Sequence, residues 1–350
     1  MRGGISRYYV ELFRKLCQHH IDFRCFGGVH ANQLLIEASS STPLKDRVVH
    51  SPRPAKPSGL TRLRNEFEFR KQIKIYKPDV IHDTYYPLGS RRTSTASITT
   101  IHDMIYEKYG SGERVRLNRR MRLKAARNAT RVIAVSQATK ADILDFWNLE
   151  PDKIDVIYHG SSVLPEPASS PIRSPYLLFV GKRGWYKNFL PALSAFARSG
   201  VHNDFHLVCF GGGSLSAKER SMIVNLSLDG KVHYVDGDDC MLASCYHYAC
   251  GLLYVSRYEG FGLPILEAMS VGCPVLALEV ASIPEVAGDA ALLLPDDDAD
   301  ALVEGLKQFA YDEDLRATLS RAGRENAKRF SWEKSANEHL RTYKRALSQV

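Results

Sequence analysis

The chain has 350 residues, 44% of them hydrophobic, and carries 47 Lys+Arg against 39 Asp+Glu for a formal net charge of +8. That length accommodates two domains with separate cores, while no uninterrupted apolar run approaches the roughly 18 residues needed to cross a bilayer. The composition therefore excludes a helical membrane span and reads as a soluble chain. The N-terminus shows no basic segment followed by an apolar stretch and a small-residue cleavage site, so a cytoplasmic location is expected. Cys17, Cys25, Cys209, Cys240, Cys245, Cys250 and Cys273 are odd in number and lack close pairing. They are expected to be reduced thiols, with zinc binding disfavoured. Charge is unevenly spread: residues 1–165 hold 28 Lys+Arg against 16 Asp+Glu, and the remainder 19 against 23. The first half is the one expected to meet an anionic partner.

Taken in order, the chain opens with Ile5, Tyr8, Tyr9, Leu12, Phe13 and Leu16 at helical spacing behind Gly3 and Gly4, which predicts a helix entered through a phosphate-compatible turn. Residues 22–58 give weaker signals, with DFRCF a short strand and PRPAKPSG a loop. A helix is predicted from residue 60 to about 76. PDVIH (78–82) and SITTIHD (97–103) are short parallel strands with His82 and the pair His102, Asp103 gathered at their C-terminal ends, where open α/β sheets bind ligands.

Residues 113–131 carry Arg114, Arg116, Arg119, Arg120, Arg122, Lys124, Arg127 and Arg131 against the single acid Glu113. The apolar residues between them predict a helix whose charged face is either solvated or docked on anionic lipid or a pyrophosphate-linked acceptor. Nucleic acid is disfavoured, since no aromatic residues interleave with the arginines. RVIAVS (131–136) is a predicted strand, QATKADILDFW a helix and KIDVIYHG (153–160) a further strand, after which Ser- and Pro-rich residues 161–175 form a linker.

The second half alternates short apolar runs (YLLFVG, FHLVCFG, KVHYVDG, CGLLYVS, PVLALE, ALLLP) with helical or loop-length segments, the pattern of a parallel sheet covered on both faces. The first run leads into GKRGWYKNF, with Lys182, Arg183 and Lys187, and the second ends in GGGS from Gly211. CGLLYVS leads into EGFGLPILE, where Glu259 and Glu267 bracket Gly260, Phe261, Gly262 and Leu263. The glycines permit close backbone approach, Pro264 suits a first helical turn, and the free N–H groups there favour anionic oxygens. Charged helical segments follow from residue 299.

At these residues the chain resembles the family 4 retaining glycosyltransferases of the GT-B fold. Their signature is two glutamates separated by seven residues around the same GFGLP core. The resemblance implies an α/β architecture of two Rossmann-like parallel-sheet domains facing a central cleft: an acceptor-binding domain over 1–165, a nucleotide-sugar-binding domain over 166–330, and a helix over 331–350 packing back on the first. The family's first strand is absent before Gly3, so either the start is truncated or that strand is missing.

The resemblance further implies that Lys187, with Lys182 or Arg183, neutralises the donor diphosphate, that Glu267 holds the ribose, and that Glu259 orients a sugar hydroxyl. It also implies that His102 reaches the donor sugar and that the turn at Gly3 and Gly4 faces the cleft near the diphosphate and the acceptor. Gly211 opens a further close-approach loop whose glycines either meet the nucleotide or serve the turn alone. No metal and no further cofactor are expected. The donor is expected to be a GDP- or UDP-hexose, mannose favoured, and the acceptor a saccharide or lipid-linked saccharide of a cell-surface polysaccharide. Residues 114–131 would adjoin an anionic surface at the inner face of the plasma membrane. A sugar-nucleotide epimerase of the same architecture, or a non-catalytic partner in a polysaccharide assembly complex, is the alternative.

Overall fold

A computed structural model describes residues 4–30, 32–40, 44–52, 59–83 and 95–350. The chain begins with α1 (Gly4–Leu16), β1 (Cys25–His30), α2 (Gln33–Ser39), β2 (Val48–Pro52), α3 (Gly59–Tyr76), β3 (Val80–Asp83) and β4 (Ala96–Ile101). It continues through α4 (Ile105–Tyr109), α5 (Glu113–Asn128), β5 (Arg131–Ala134), α6 (Gln137–Trp147), β6 (Ile154–Val156), β7 (Tyr176–Val180) and α7 (Phe189–Arg198). Then come β8 (His206–Phe210), α8 (Ala217–Asn225), β9 (Val232–Val235), α9 (Asp239–His247), β10 (Gly251–Tyr254), α10 (Leu263–Val271) and β11 (Val275–Leu278). The remaining elements are α11 (Ile283–Ala287), β12 (Leu292–Leu294), α12 (Ala299–Tyr311), α13 (Glu313–Ala327) and α14 (Trp332–Leu347).

Two compact units result: unit 1 combines Met1–Gly160 with Ser331–Val350, and unit 2 is Ser161–Phe330. The helices start where local chemistry dictates. Ser136 accepts from the backbone N–H of Thr139 at the head of α6, and Ser216 with Glu219 closes a reciprocal capping box on α8, each satisfying donors that a helix N-terminus leaves unpaired.

Unit 1 holds a two-stranded parallel sheet, β1-β2, and a four-stranded parallel sheet in the order β3-β4-β5-β6. The first strand falls at Cys25–His30, a few residues beyond the expected DFRCF run, with Cys25 and Gly28 its buried positions. α14 belongs to this unit, where its Trp332 and Ala336 pack with Tyr8, Tyr9, Leu12 and Leu16 of α1.

Unit 2 is a six-stranded parallel sheet ordered β12-β11-β10-β7-β8-β9. Each of the six apolar runs of the second half forms one strand. Leu177, Phe179, Leu207, Leu253 and Leu276 from the sheet meet Phe189, Leu193, Phe196 and Phe309 from the helices, each burial contributing about 1.5–3 kcal/mol before entropy is counted. Chain order runs outward from β7 through β8 to β9 on one side, and from β10 through β11 to β12 on the other. The connections therefore diverge at the C-terminal ends of β7 and β10, the crevice where open α/β sheets accept ligands.

Candidate active site

β7 and β10 are hydrogen-bonded neighbours, with Leu177 beside Gly251 and Leu178 beside Leu252. The turn after β7 and the loop after β10 consequently emerge side by side. Lys187 Nζ from the first donates to Glu259 Oε1 of the second at 2.5 Å, and both side chains are largely shielded, at 13% and 10% exposure. The ammonium also lies 5.1 Å from the Tyr254 ring centroid and 5.5 Å from that of Tyr186, faces that attract a cation. Burial and the adjacent Glu259 carboxylate raise the Tyr254 hydroxyl well above the usual phenol range.

Other contacts fix this pair in place. The backbone N–H of Arg257 donates to Tyr186 O at 2.8 Å. Asp297, just before α12, accepts through one oxygen from Asn188 Nδ2 (3.0 Å) and Arg257 Nε (2.5 Å), so it clasps the two segments that carry Lys187 and Glu259. The Ser282 hydroxyl, fully buried, is shared between the carbonyls of Glu259 (2.9 Å) and Phe261 (2.8 Å). Nothing in the local sequence around Asn188, Asp297 or Ser282 marks them, since each acts across dozens of residues.

Gly262 stands at φ +111°, where any side chain is strained, and precedes α10 with no side-chain cap on that helix. The backbone N–H groups opening α10 therefore present partial positive charge. Glu267, one turn inside α10 and buried, accepts from the Tyr246 hydroxyl at 3.0 Å. Gly260 lies in the same loop. The Phe261 side chain is directed into the core instead, its ring edge-on to Phe330 at 5.9 Å, so its backbone is what this residue can offer a ligand; Leu263 is half-buried at the helix start.

The basic turn separates its two candidates. Arg183 is 5% exposed. Its guanidinium donates to the carbonyls of Gly211 (2.7 Å), Gly213 and Ser214 (3.0 Å) and to Glu219 Oε1 (3.1 Å), with the Phe189 and Tyr234 rings beside it. Arg183 is thus a strut beneath the GGGS loop, its guanidinium turned to acceptors within the protein. Lys182 is exposed. Gly211 contributes its carbonyl to that strut, whereas Gly212 is the sterically required glycine: a Cβ there would lie 2.4 Å from Gly181 O.

In unit 1, Gly4 begins α1, and Gly3 lies outside the described residues. His102 follows β4 with its ring edge-on to Tyr8 (5.1 Å) and parallel to His159 at 6.1 Å. Its buried Nε2 has no hydrogen-bond partner among the described residues. Burial, then the Arg122 charge and His339, push its pKa down to about 3. His82 is held on both sides, by Tyr343 Oη (2.9 Å) and Thr100 Oγ1 (2.8 Å), the pattern of a packing histidine. His339 Nδ1 donates to Ser335 O at 2.7 Å, which leaves Nε2 to accept from the Tyr8 hydroxyl at 2.5 Å.

The basic run over residues 113–131, which spans α5 and the first residue of β5, is not one continuous charged surface. Arg122 is buried against Glu107 (2.7 Å), Arg119 donates to the carbonyls of Tyr106, Glu107 and Gly110, and Arg131 makes a two-pronged bond to Asp155 at 2.7 and 2.8 Å. Arg114, Arg116, Arg120, Lys124 and Arg127 remain on the exposed face. Among the described residues no group of three His, Cys, Asp or Glu side chains is arranged to hold a metal ion, and no helix is long and apolar enough to cross a membrane.

Two family descriptions match, one on each half: "Glycosyltransferase Family 4" over residues 2–162 and "Glycosyl transferases group 1" over residues 165–326. The chain belongs to the family 4 glycosyltransferases. This glycosyltransferase is 28% identical over 292 residues to the O-antigen chain mannosyltransferase B of Escherichia coli, covering 78% of this chain and 76% of that one. It is also 28% identical over 236 residues to an MMP alpha-(1->4)-mannosyltransferase of Mycolicibacterium hassiacum, covering 66% and 57% respectively. Among solved structures, Anabaena HepE in complex with UDP and glucose superposes with a TM-score of 0.75 at 17% identity, covering 97% of this chain and 95% of that one. The glycosyltransferase has the GT-B fold, with a parallel-sheet α/β domain in each half.

Proposed function

We propose that this glycosyltransferase moves a hexose, mannose favoured, from a GDP- or UDP-linked donor to a saccharide or lipid-linked saccharide during cell-surface polysaccharide synthesis, with retention of anomeric configuration. The observation that carries the reading is the convergence of Lys187, Glu259 and the uncapped start of α10 on the β7/β10 crevice. The mannosyltransferases named above support the choice of sugar.

As the bond from the anomeric carbon to the diphosphate oxygen breaks, negative charge grows on the departing group. Lys187, held against Glu259, and the N–H groups at Gly262 and Leu263 meet that charge from positions fixed before the reaction begins, joined by the exposed Lys182. Lys182 is preferred over Arg183 because the guanidinium already serves four internal acceptors. Glu267 accepts from the ribose hydroxyls, with Tyr246 holding its other side. Glu259 orients a hydroxyl of the transferred sugar and His102 takes part in transfer, the departing diphosphate receiving the acceptor's proton.

The cations supply the charge stabilisation, so transfer is expected to persist in EDTA. The exposed cations of α5 hold the enzyme near an anionic surface at the inner face of the plasma membrane. Thermal-shift screening of GDP-, UDP- and ADP-sugars tests the donor: one nucleotide class raises the melting temperature by mass action, and the Lys187→Ala protein loses that response. Stabilisation by none of the three, or unchanged stabilisation in the variant, rejects the proposal.

A further inference from the structure

The turn that follows β11 runs beside the loop after β10, because the two strands are hydrogen-bonded neighbours, with Leu253 beside Leu276 and Tyr254 beside Ala277. Ile283 N donates to Val280 O at 3.0 Å and closes a turn over residues 280–283. Its second position holds Ala281 at φ +49°, a conformation that strains any Cβ and in which such turns ordinarily carry glycine. Its third position is Ser282, at φ −80° and ψ −8° and fully buried.

The Ser282 hydroxyl serves neither of the partners a serine ordinarily finds nearby. It immediately precedes α11, where a serine commonly caps a helix, yet it makes no cap bond. Nor does it turn back on its own chain, as Ser39, Ser199, Ser270 and Ser348 do by donating to the carbonyl three residues earlier. Ser282 instead reaches the carbonyls of Glu259 and Phe261, 23 and 21 residues upstream. A planar trans peptide holds its C=O and N–H antiparallel. Drawing the Phe261 carbonyl toward Ser282 therefore turns the Gly262 N–H the other way, at the uncapped start of α10. Drawing the Glu259 carbonyl to the same hydroxyl fixes the backbone from which the Glu259 side chain reaches Lys187.

We infer that Ser282 is a positioning residue for the donor: one hydroxyl sets both the Gly262 amide and the Glu259 carboxylate, and the strained Ala281 brings that hydroxyl beneath the loop. The inference rests on the donor reading given above. Under that reading Glu259 meets the transferred sugar, so the amide set beside it meets the phosphate that carries this sugar, the distal one of the diphosphate. Ser282, fully buried, does not meet the ligand. It acts by holding two ligand-facing groups at a fixed separation, so its loss is felt at the distal phosphate and little at the nucleoside or the proximal phosphate. A serine present for packing alone would not distinguish one phosphate from the other.

Calorimetric titration of the full chain with GDP, GMP, UDP and UMP tests it. The parent should bind one diphosphate more tightly than the matching monophosphate. Ser282→Ala should lose about tenfold in affinity for that diphosphate and less than about twofold for the monophosphate. Ser282→Thr and Ser282→Val are isosteric and separate the hydroxyl from bulk, since whatever the added methyl costs falls on both. The first should recover diphosphate affinity to within about threefold of the parent, and the second should remain about tenfold down. Equal losses for diphosphate and monophosphate, Ser282→Thr no better than Ser282→Val, or Ser282→Ala equal to the parent overturns the inference. A parent that binds neither GDP nor UDP is a different result: it removes the donor reading itself, and this inference with it.

Discussion

At the scale of single residues, the proposed site rests on a lysine and two glutamates whose immediate partners differ. Lys187 faces Glu259 directly, in a setting with little water. Lys187→Ala is expected to lower kcat by about 10²- to 10³-fold. It should also destabilise the fold by about 1–3 kcal/mol, because a shielded carboxylate is left unmatched. Steady-state kinetics beside thermal melting separate the two losses, and full activity in the variant would refute the assignment. Glu267 has Tyr246 on one oxygen. Tyr246→Phe removes that donor without changing ring volume, and donor affinity should fall about tenfold with kcat nearly kept; a calorimetric titration with the nucleotide reads this directly.

At the scale of elements, the site is two strand tips and the groups that lock them together. Asp297 reaches Asn188 on one segment and Arg257 on the other. Asp297→Ala should therefore raise KM for the donor and lower kcat together, each by roughly tenfold, as Lys187 and Glu259 lose their fixed separation. Asp297→Asn, whose amide oxygen can still accept both bonds but without the negative charge, should recover part of the loss. Equal kinetics in the alanine variant and the parent would show that the clasp is ornamental.

At the scale of the whole molecule, histidine burial ties unit 1 to pH. His102 is pushed down to about 3, chiefly by burial, and His339 to about 4 by burial, against about 6.5 in an unfolded chain. Between those values the unfolded chain binds more protons than the folded one. Stability is then complete above about pH 6.5 and is lost as pH falls toward 4 and below. Melting temperature should be level from pH 8 to 7 and decline below 6.5, and His339→Gln should flatten the decline. A profile unaffected by that change would contradict it.

Much of this organisation was legible in the sequence. The six apolar runs of the second half, the helix from residue 137 to 147 and the EGFGLP loop all carry local patterns that survive tertiary packing. The illegible parts are contacts without a local signature. Arg183 looks like any exposed basic residue until the carbonyls of residues 211, 213 and 214 close around it. Arg122 and Arg131 read as members of a charged face, yet Glu107 and Asp155 draw both inward. His82, His102, His159 and His339 are spread over more than two hundred positions, and only folding gathers their rings.

The assignment of α14 to unit 1 has a consequence for biosynthesis. Synthesis of the chain passes through all of unit 2 before Trp332, His339 and Tyr343 exist to cover α1 and the tips of β3 and β4. While the ribosome adds residues 161–330, the earlier half waits with Tyr8 and its neighbours unsheltered, and a nascent chain halted there would offer chaperones and proteases an open flank.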